Sequence, residues 1–348
     1  MNFEGVEKIA AAILYEGYIL YPYRATAIKN RQRWNFGTLY PGIYAEAQRP
    51  EEPFRLIAEC LVVADGEASL DVRLSFLQLM RQKDVEDKLT DPSLAWDEAV
   101  ERASEHSVHL KDLLTSPLSL APRSVENISR NGPRNCRSLG SPGFPVKEGD
   151  ASMESGCGTE GVFHHQDLQI ALTIGAQMLE DGACKLRIEA QNTTPLPSGA
   201  EAMREEALPL SLVSAHLVLG VTNGEFVSLL DPADAYRASA AACSNTGVFP
   251  VLAGEESDRT MMLCSPIILY DYPKIAPESA GDFFDGTEMD EMLTLRVLTL
   301  TDAEKDEMRS GDPRARRILE RTESLTEDAM LKAHGVIRGL REIRGDAS

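Results

Sequence analysis

The stretch ILYEGYILYPYRATAIKNRQRWNFGTLYPGIY, residues 13–44, holds six of the nine tyrosines in the chain: Tyr15, Tyr18, Tyr21, Tyr23, Tyr40 and Tyr44. Trp34 and Phe36 lie among them, with Arg24, Lys29, Asn30, Arg31 and Arg33. Guanidinium groups bind carboxylate or phosphate in pairs of hydrogen bonds and stack on rings. Tyr, Trp and Arg are also the usual anchors of protein interfaces. Tyr21, Tyr23, Arg24, Lys29, Asn30, Arg31, Arg33 and Trp34 are therefore candidate partner- or ligand-binding residues. The plainer alternative is a strand, Tyr18–Arg24, with an aromatic face in the core and its arginines paired to acids of the same chain. Stacking plus cations also suits single-stranded nucleic acid, but a net charge of -20 opposes that use.

A second group is acidic. SPIILYDYPKIAPESAGDFFDGTEMDE, residues 265–291, carries Asp271, Glu278, Asp282, Asp285, Glu288, Asp290 and Glu291. Carboxylates on a loop can hold Mg²⁺ or Ca²⁺, or act as an acid/base pair. The spacing is not that of an EF-hand. Phe283 and Phe284 between the acids point instead to a loop that packs down and serves as a docking surface. Asp271, Asp282 and Asp285 join the candidate partner-binding residues. No catalytic residue, metal or cofactor is assigned.

Other motifs carry less. Gly156-x-Gly158-x-x-Gly161 follows a Ser/Gly-rich coil and precedes a strand pattern, the reverse of a dinucleotide turn. His164 and His165 would point to opposite faces of a strand, and so would His106 and His109. None of the six cysteines forms a C-x-x-C pair, so free thiols are expected.

These side chains must be positioned by a β-rich scaffold. Residues 56–63 and 70–80 read as strands around Asp65-Gly66, and 168–174 and 186–189 as strands around Asp181-Gly182. HLVLGVTNGEFVSLL reads as a third hairpin with Asn223-Gly224 at its tip, and HSVHLKDLL, 106–114, as a further strand. Thr301 and Glu304 have capping-box spacing for a helix near Asp302. Asp312-Pro313 opens a second helix, and Thr326 caps a third with an apolar stripe through Leu340. The expected class is α+β, β-rich: an antiparallel β-sandwich-like core with an aromatic N-terminal segment and C-terminal helices. The expected segments are 1–50, aromatic and basic; 51–300, the core, with a disordered Ser/Pro/Gly-rich insertion at 115–161; and 301–348, helical.

The chain has 55 acidic against 35 basic residues and a pI near 4.8, which disfavours general nucleic-acid binding. No apolar run has the length of a membrane span, and the N-terminus lacks a signal-peptide pattern, so a cytoplasmic protein is expected.

The stretches LYEGYILYPYRATAIKNRQRWNFGTLYP (14–41), GEFVSLLDP (224–232) and SPIILYDYPKIAPESAGDFFDGTEMDEMLTLRVLTLTDAEK (265–305) resemble blocks of an uncharacterised family. Genes of that family sit beside those of high-affinity uptake [NiFe] hydrogenases and their maturation factors. The resemblance implies a non-enzymatic accessory protein that docks a hydrogenase subunit or maturation factor, in assembly or electron-transfer coupling. Two alternatives stand beside it. One is a metal-dependent hydrolase using the carboxylates of 271–290. The other is an anionic small-ligand binder using the Arg/Tyr cluster of 18–36.

Overall fold

Alternation of apolar and polar residues generates most of the strands. In β1 (Arg55–Gln82), Leu56, Ala58, Cys60 and Val62 are buried, and further on Leu70, Val72, Leu74 and Phe76. The computed structural model describes residues 3–24, 27, 30, 34–82, 98–124, 152–154, 160–164, 167–275, 290–310 and 313–325. Its other strands are β2 (Glu98–His109), β3 (Leu118–Ser124), β4 (Ser152–Glu154), β5 (Glu160–His164), β6 (Gln169–Met178), β7 (Cys184–Asn192), β8 (Val213–Val227), β9 (Phe249–Leu252) and β10 (Met261–Ser265). The class is α+β and β-rich, with antiparallel pairing throughout.

The strands join into one continuous sheet in the order β3-β6-β7-β1-β8-β10-β9. β1 is its joint. Residues 55–62 pair with β7, residues 69–80 pair with β2, and β8 runs along the other edge. The hairpin expected at Asp181-Gly182 is present: β6 and β7 pair from Met178↔Cys184 outward, and Gly182 takes φ +84°.

The other two expected hairpins are not turns. β1 and β8 each run straight through Asp65-Gly66 and Asn223-Gly224. The two dipeptides lie at one level, where the β1–β8 register shifts between Ala64↔Gly224 and Ser69↔Thr222. Gly224 is required there by close approach: a Cβ would sit 2.8 Å from the Ala64 Cβ. Turn-forming residues are used here as a bulge between two long strands. The stretch 106–114 also divides. Its first part belongs to β2, and Leu110–Thr115 is a helix. Within the expected insertion, Leu118–Ser124 pairs with β6 as β3, and residues 125–151 lie outside the described residues.

The chain divides into two compact units: Met1–Tyr18 with Gln32–Lys274, and Ile19–Arg31 with Ile275–Ser348. The aromatic segment is thus shared between them.

In the first unit, helix Glu4–Leu14 covers β8 and β10. Phe3, Val6 and Ile13 pack with Val218, Val251, Ala253 and Leu263. Burial of each large apolar side chain contributes ~2 kcal/mol, which holds a short helix that would be marginal alone. Arg73 of β1 adds a polar tie: its guanidinium lies over the Phe3 ring and 3.7 Å from Glu7 Oε1.

In the second unit, helices Asp290–Leu298, Asp302–Ser310 and Pro313–Glu323 bury Leu293, Val297, Met308, Ile318 and Leu319. The Thr301–Glu304 capping box is formed, with the Thr301 amide 2.9 Å from Glu304 Oε2. The helix expected after Thr326 lies outside the described residues.

Candidate functional site

The described residues of the N-terminal aromatic cluster are largely used by the chain itself. Tyr18–Arg24 is not a strand; it runs through turns. Asn30 is what shapes it. Its side-chain amide donates to the carbonyls of Leu20 and Arg24 and its Oδ1 accepts the Leu20 amide, and the residue is buried. Tyr23 is buried, and Tyr21 meets it edge-on at 6.2 Å while lying 5.6 Å under Arg296. Arg24 forms ion pairs with Glu304 at 3.1 Å and Glu307 at 3.4 Å. Trp34, in the first unit, is buried edge-on against Tyr18 at 5.0 Å. Lys29, Arg31 and Arg33 lie outside the described residues.

Tyr40 and Tyr44 form a separate pair in the first unit, 5.2 Å apart. Arg204 donates to the Tyr40 hydroxyl and to Asn35 Oδ1. Burial pushes the Tyr40 phenol up, and Arg204 offsets part of that rise.

The acidic loop shows one member in detail. Asp271 Oδ2 accepts the Ser228 hydroxyl at 2.5 Å, and its Oδ1 accepts the Leu252 amide at 2.8 Å. The Tyr272 amide then donates to the Leu252 carbonyl at 2.7 Å. Ser228 Oγ also accepts the amides of Leu230 and Asp231. Asp271 is therefore a pin. It ties the segment after β10 to the end of β8 and the end of β9.

That pin fixes a strap, 266–272. Ile267 and Leu269 turn inward onto the cluster under helix Glu4–Leu14. Ile268 and Tyr270 turn outward and are 78% and 88% exposed. Leu230, two residues beyond Ser228, is also exposed. Large apolar side chains held outward on an anchored segment are a surface suited to contact. Asp282 and Asp285 lie outside the described residues. Among the described residues no three His, Cys, Asp or Glu side chains are grouped as metal ligands.

Two features escaped the sequence. The first is Glu59, whose carboxylate accepts from Lys185 at 3.3 Å, Arg187 at 3.0 Å and the Ser244 amide at 2.9 Å. Burial alone would raise its acid, but those donors outweigh it and the net direction is down. The register places Arg187 opposite Glu59, and Lys185 opposite Leu61 on the same face. Only the pairing of β1 with β7 could have signalled it. The second is His216, buried in β8, with Nδ1 2.8 Å from the Ser214 carbonyl and no partner for Nε2 among the described residues.

The four described cysteines are free thiols, and burial pushes each of them up. Cys60 and Cys264 are buried and their thiols are pushed far up by desolvation; burial raises Cys243 to about 11. Cys136 and Cys157 lie outside the described residues.

A scan against protein-family models and a search of curated proteins find no match to this chain. None of its described helices is long and apolar enough to cross a membrane.

Proposed function

We propose that this chain is a non-enzymatic, cytoplasmic accessory protein that works by docking another protein. The observation that supports this reading is the strap: Ile268 and Tyr270 are held outward on a segment pinned through Asp271. A fixed, exposed aliphatic–aromatic pair loses little conformational entropy on contact, which favours association. The partner's identity rests on the resemblance of 14–41, 224–232 and 265–305 to the hydrogenase-associated family. It is accordingly a [NiFe]-hydrogenase subunit or a maturation factor. The strap falls within the last of those blocks.

The two alternatives have less support. Asp271 is committed to Ser228 and Leu252, which leaves it a structural acid rather than a general base. Arg24 is committed to Glu304 and Glu307 rather than to an anionic ligand.

The test is a double substitution, Ile268→Asp with Tyr270→Ala, in the native host. Both side chains are mainly exposed, so the fold is retained, as checked by circular dichroism. Co-purification of the hydrogenase subunit or maturation factor is expected to fall, and hydrogenase activity with it. Unchanged hydrogenase activity in a complete deletion strain would sink the reading.

A further inference from the structure

The surroundings of the pin define what kind of segment the strap accepts. Ser228, Leu252 and Asp271 bring three chain segments together at one end of the sheet. Exposed apolar side chains at these segments include Leu230, Ile268 and Tyr270. The charged side chains that follow Leu230 and Leu252 along the chain are mainly acidic. Asp231 follows Leu230, and its amide is held by Ser228 Oγ. Glu255 and Glu256 are exposed on the turn after β9, where Asp258 accepts the Thr260 amide. Against these stand Lys274, already 3.6 Å from Glu256, and Arg259 further along the same turn.

We infer that the occupant of this surface is a cationic, apolar protein segment, one carrying Lys or Arg beside aliphatic or aromatic side chains. This rests on the docking reading of the strap and adds the chemistry of the partner to it. The apolar side chains of such a segment cover Ile268, Tyr270 and Leu230. Its cations meet Asp231, Glu255 and Glu256. A partner with an acidic contact segment would bring like charges together, which costs affinity and slows encounter. An anionic lipid surface is opposed for the same reason, reinforced by the net charge of -20. Tyr270 is the expected anchor, because aromatic side chains at the centre of an interface carry most of its energy. Acids at the rim act mainly on the association rate, so binding weakens as salt rises.

The probes are a Leu/Lys amphipathic peptide and its Leu/Glu counterpart, followed by fluorescence anisotropy with the full chain. The Leu/Lys peptide is expected to bind, less tightly at high salt, and the Leu/Glu peptide not to bind. Ile268→Asp with Tyr270→Ala should weaken binding by roughly tenfold or more. Glu255→Lys with Glu256→Lys should weaken it by a few-fold, while Glu46→Lys with Glu51→Lys, an equal charge change near Tyr44, should leave it unaltered. Equal loss in both charge reversals would mean general attraction to an acidic protein, and the inference falls.

The same variants separate this inference from the docking reading in cells. Loss of the hydrogenase partner in the apolar variant but not in Glu255→Lys/Glu256→Lys leaves docking standing and removes the cationic segment. Retention in both removes docking at the strap. A concentration-dependent dimer, seen by light scattering and lost on Ile268→Asp, would put a second copy on this surface and overturn the inference.

Discussion

Arg24 and Glu304 are 280 positions apart in the chain, yet Arg24 Nη2 lies 3.1 Å from Glu304 Oε1. Arg24, one of the candidate binding residues of the sequence, is an internal tie between the segment held by Asn30 and the helix Asp302–Ser310. Removing it should act on stability and not on docking. Arg24→Ala is expected to give a small loss of stability in urea, because pairs near the surface contribute little. Co-purification with the partner should be unchanged. A folded Arg24→Ala protein that has lost its partner would return the N-terminal cluster to the role of interface.

The Asp271 pin should be stronger. Asp271→Ala leaves the Ser228 hydroxyl and the Leu252 amide without their charged acceptor. Bonds to charged groups contribute ~1.5–3 kcal/mol each, so a loss of about 2 kcal/mol or more is expected in a denaturant titration. Docking should weaken with it, because the strap is no longer held. Equal stability of the variant and the parent would mean that the strap is fixed by Ile267 and Leu269 alone.

His216 makes stability depend on pH. Burial, with a smaller push from Arg73, takes its imidazolium down to about 4 from the usual 6.5. The unfolded chain then binds a proton between those values and the folded chain does not. Stability is full above 6.5 and declines as pH falls from 6.5 towards 4, by up to ~3 kcal/mol. His216→Gln should flatten that part of the stability–pH curve measured by urea unfolding. A variant with the parent's full slope would assign the slope to other groups.

Glu59 carries the opposite dependence. Its acid is held below the usual 4.5, so its contribution is present above 4.5 and is lost as pH falls through the lower, folded value. Glu59→Gln should cost ~2 kcal/mol, since charged hydrogen bonds from Lys185 and Arg187 are replaced by weaker ones. The loss should be local as well: the Ser244 amide is expected to exchange with solvent faster than in the parent.

Thiol labelling tests the cysteine assignment. With iodoacetamide on the native protein, Cys60 and Cys264 should stay unlabelled, because they are buried and their thiolates are disfavoured. Cys243 is only half-buried and should label slowly, faster as pH approaches about 11. Rapid labelling of Cys60 at neutral pH, mapped by peptide mass, would contradict the packing of β1.

The local features legible in the sequence are those whose signal lies within a few residues. β6 and β7 with their Asp-Gly turn, the Thr301–Glu304 cap and the helix opening at Pro313 all depend on neighbours in the chain. Asp65-Gly66 and Asn223-Gly224 carry the same turn letters and form no turn. Their role depends on two strands far apart in sequence meeting at Ala64 and Gly224, where a second Cβ does not fit.

The candidate site divides in the same way. Composition marked 13–44 and 265–291 as unusual, and Asp271 was named from the second. Its function as a pin needed Ser228 and Leu252, which come from two other strand ends. The tyrosines and Arg24 could not be sorted into core, tie or surface from their types, since each type serves all three uses. By itself the sequence determined the β-rich class, the net acidic charge, the Asp181-Gly182 turn and the Thr301–Glu304 cap, because periodicity, charge and short-range hydrogen bonds act along the chain. Only the tertiary structure decided which polar groups are consumed by internal partners and which apolar ones stay outside, because burial and pairing are properties of contacts between distant segments.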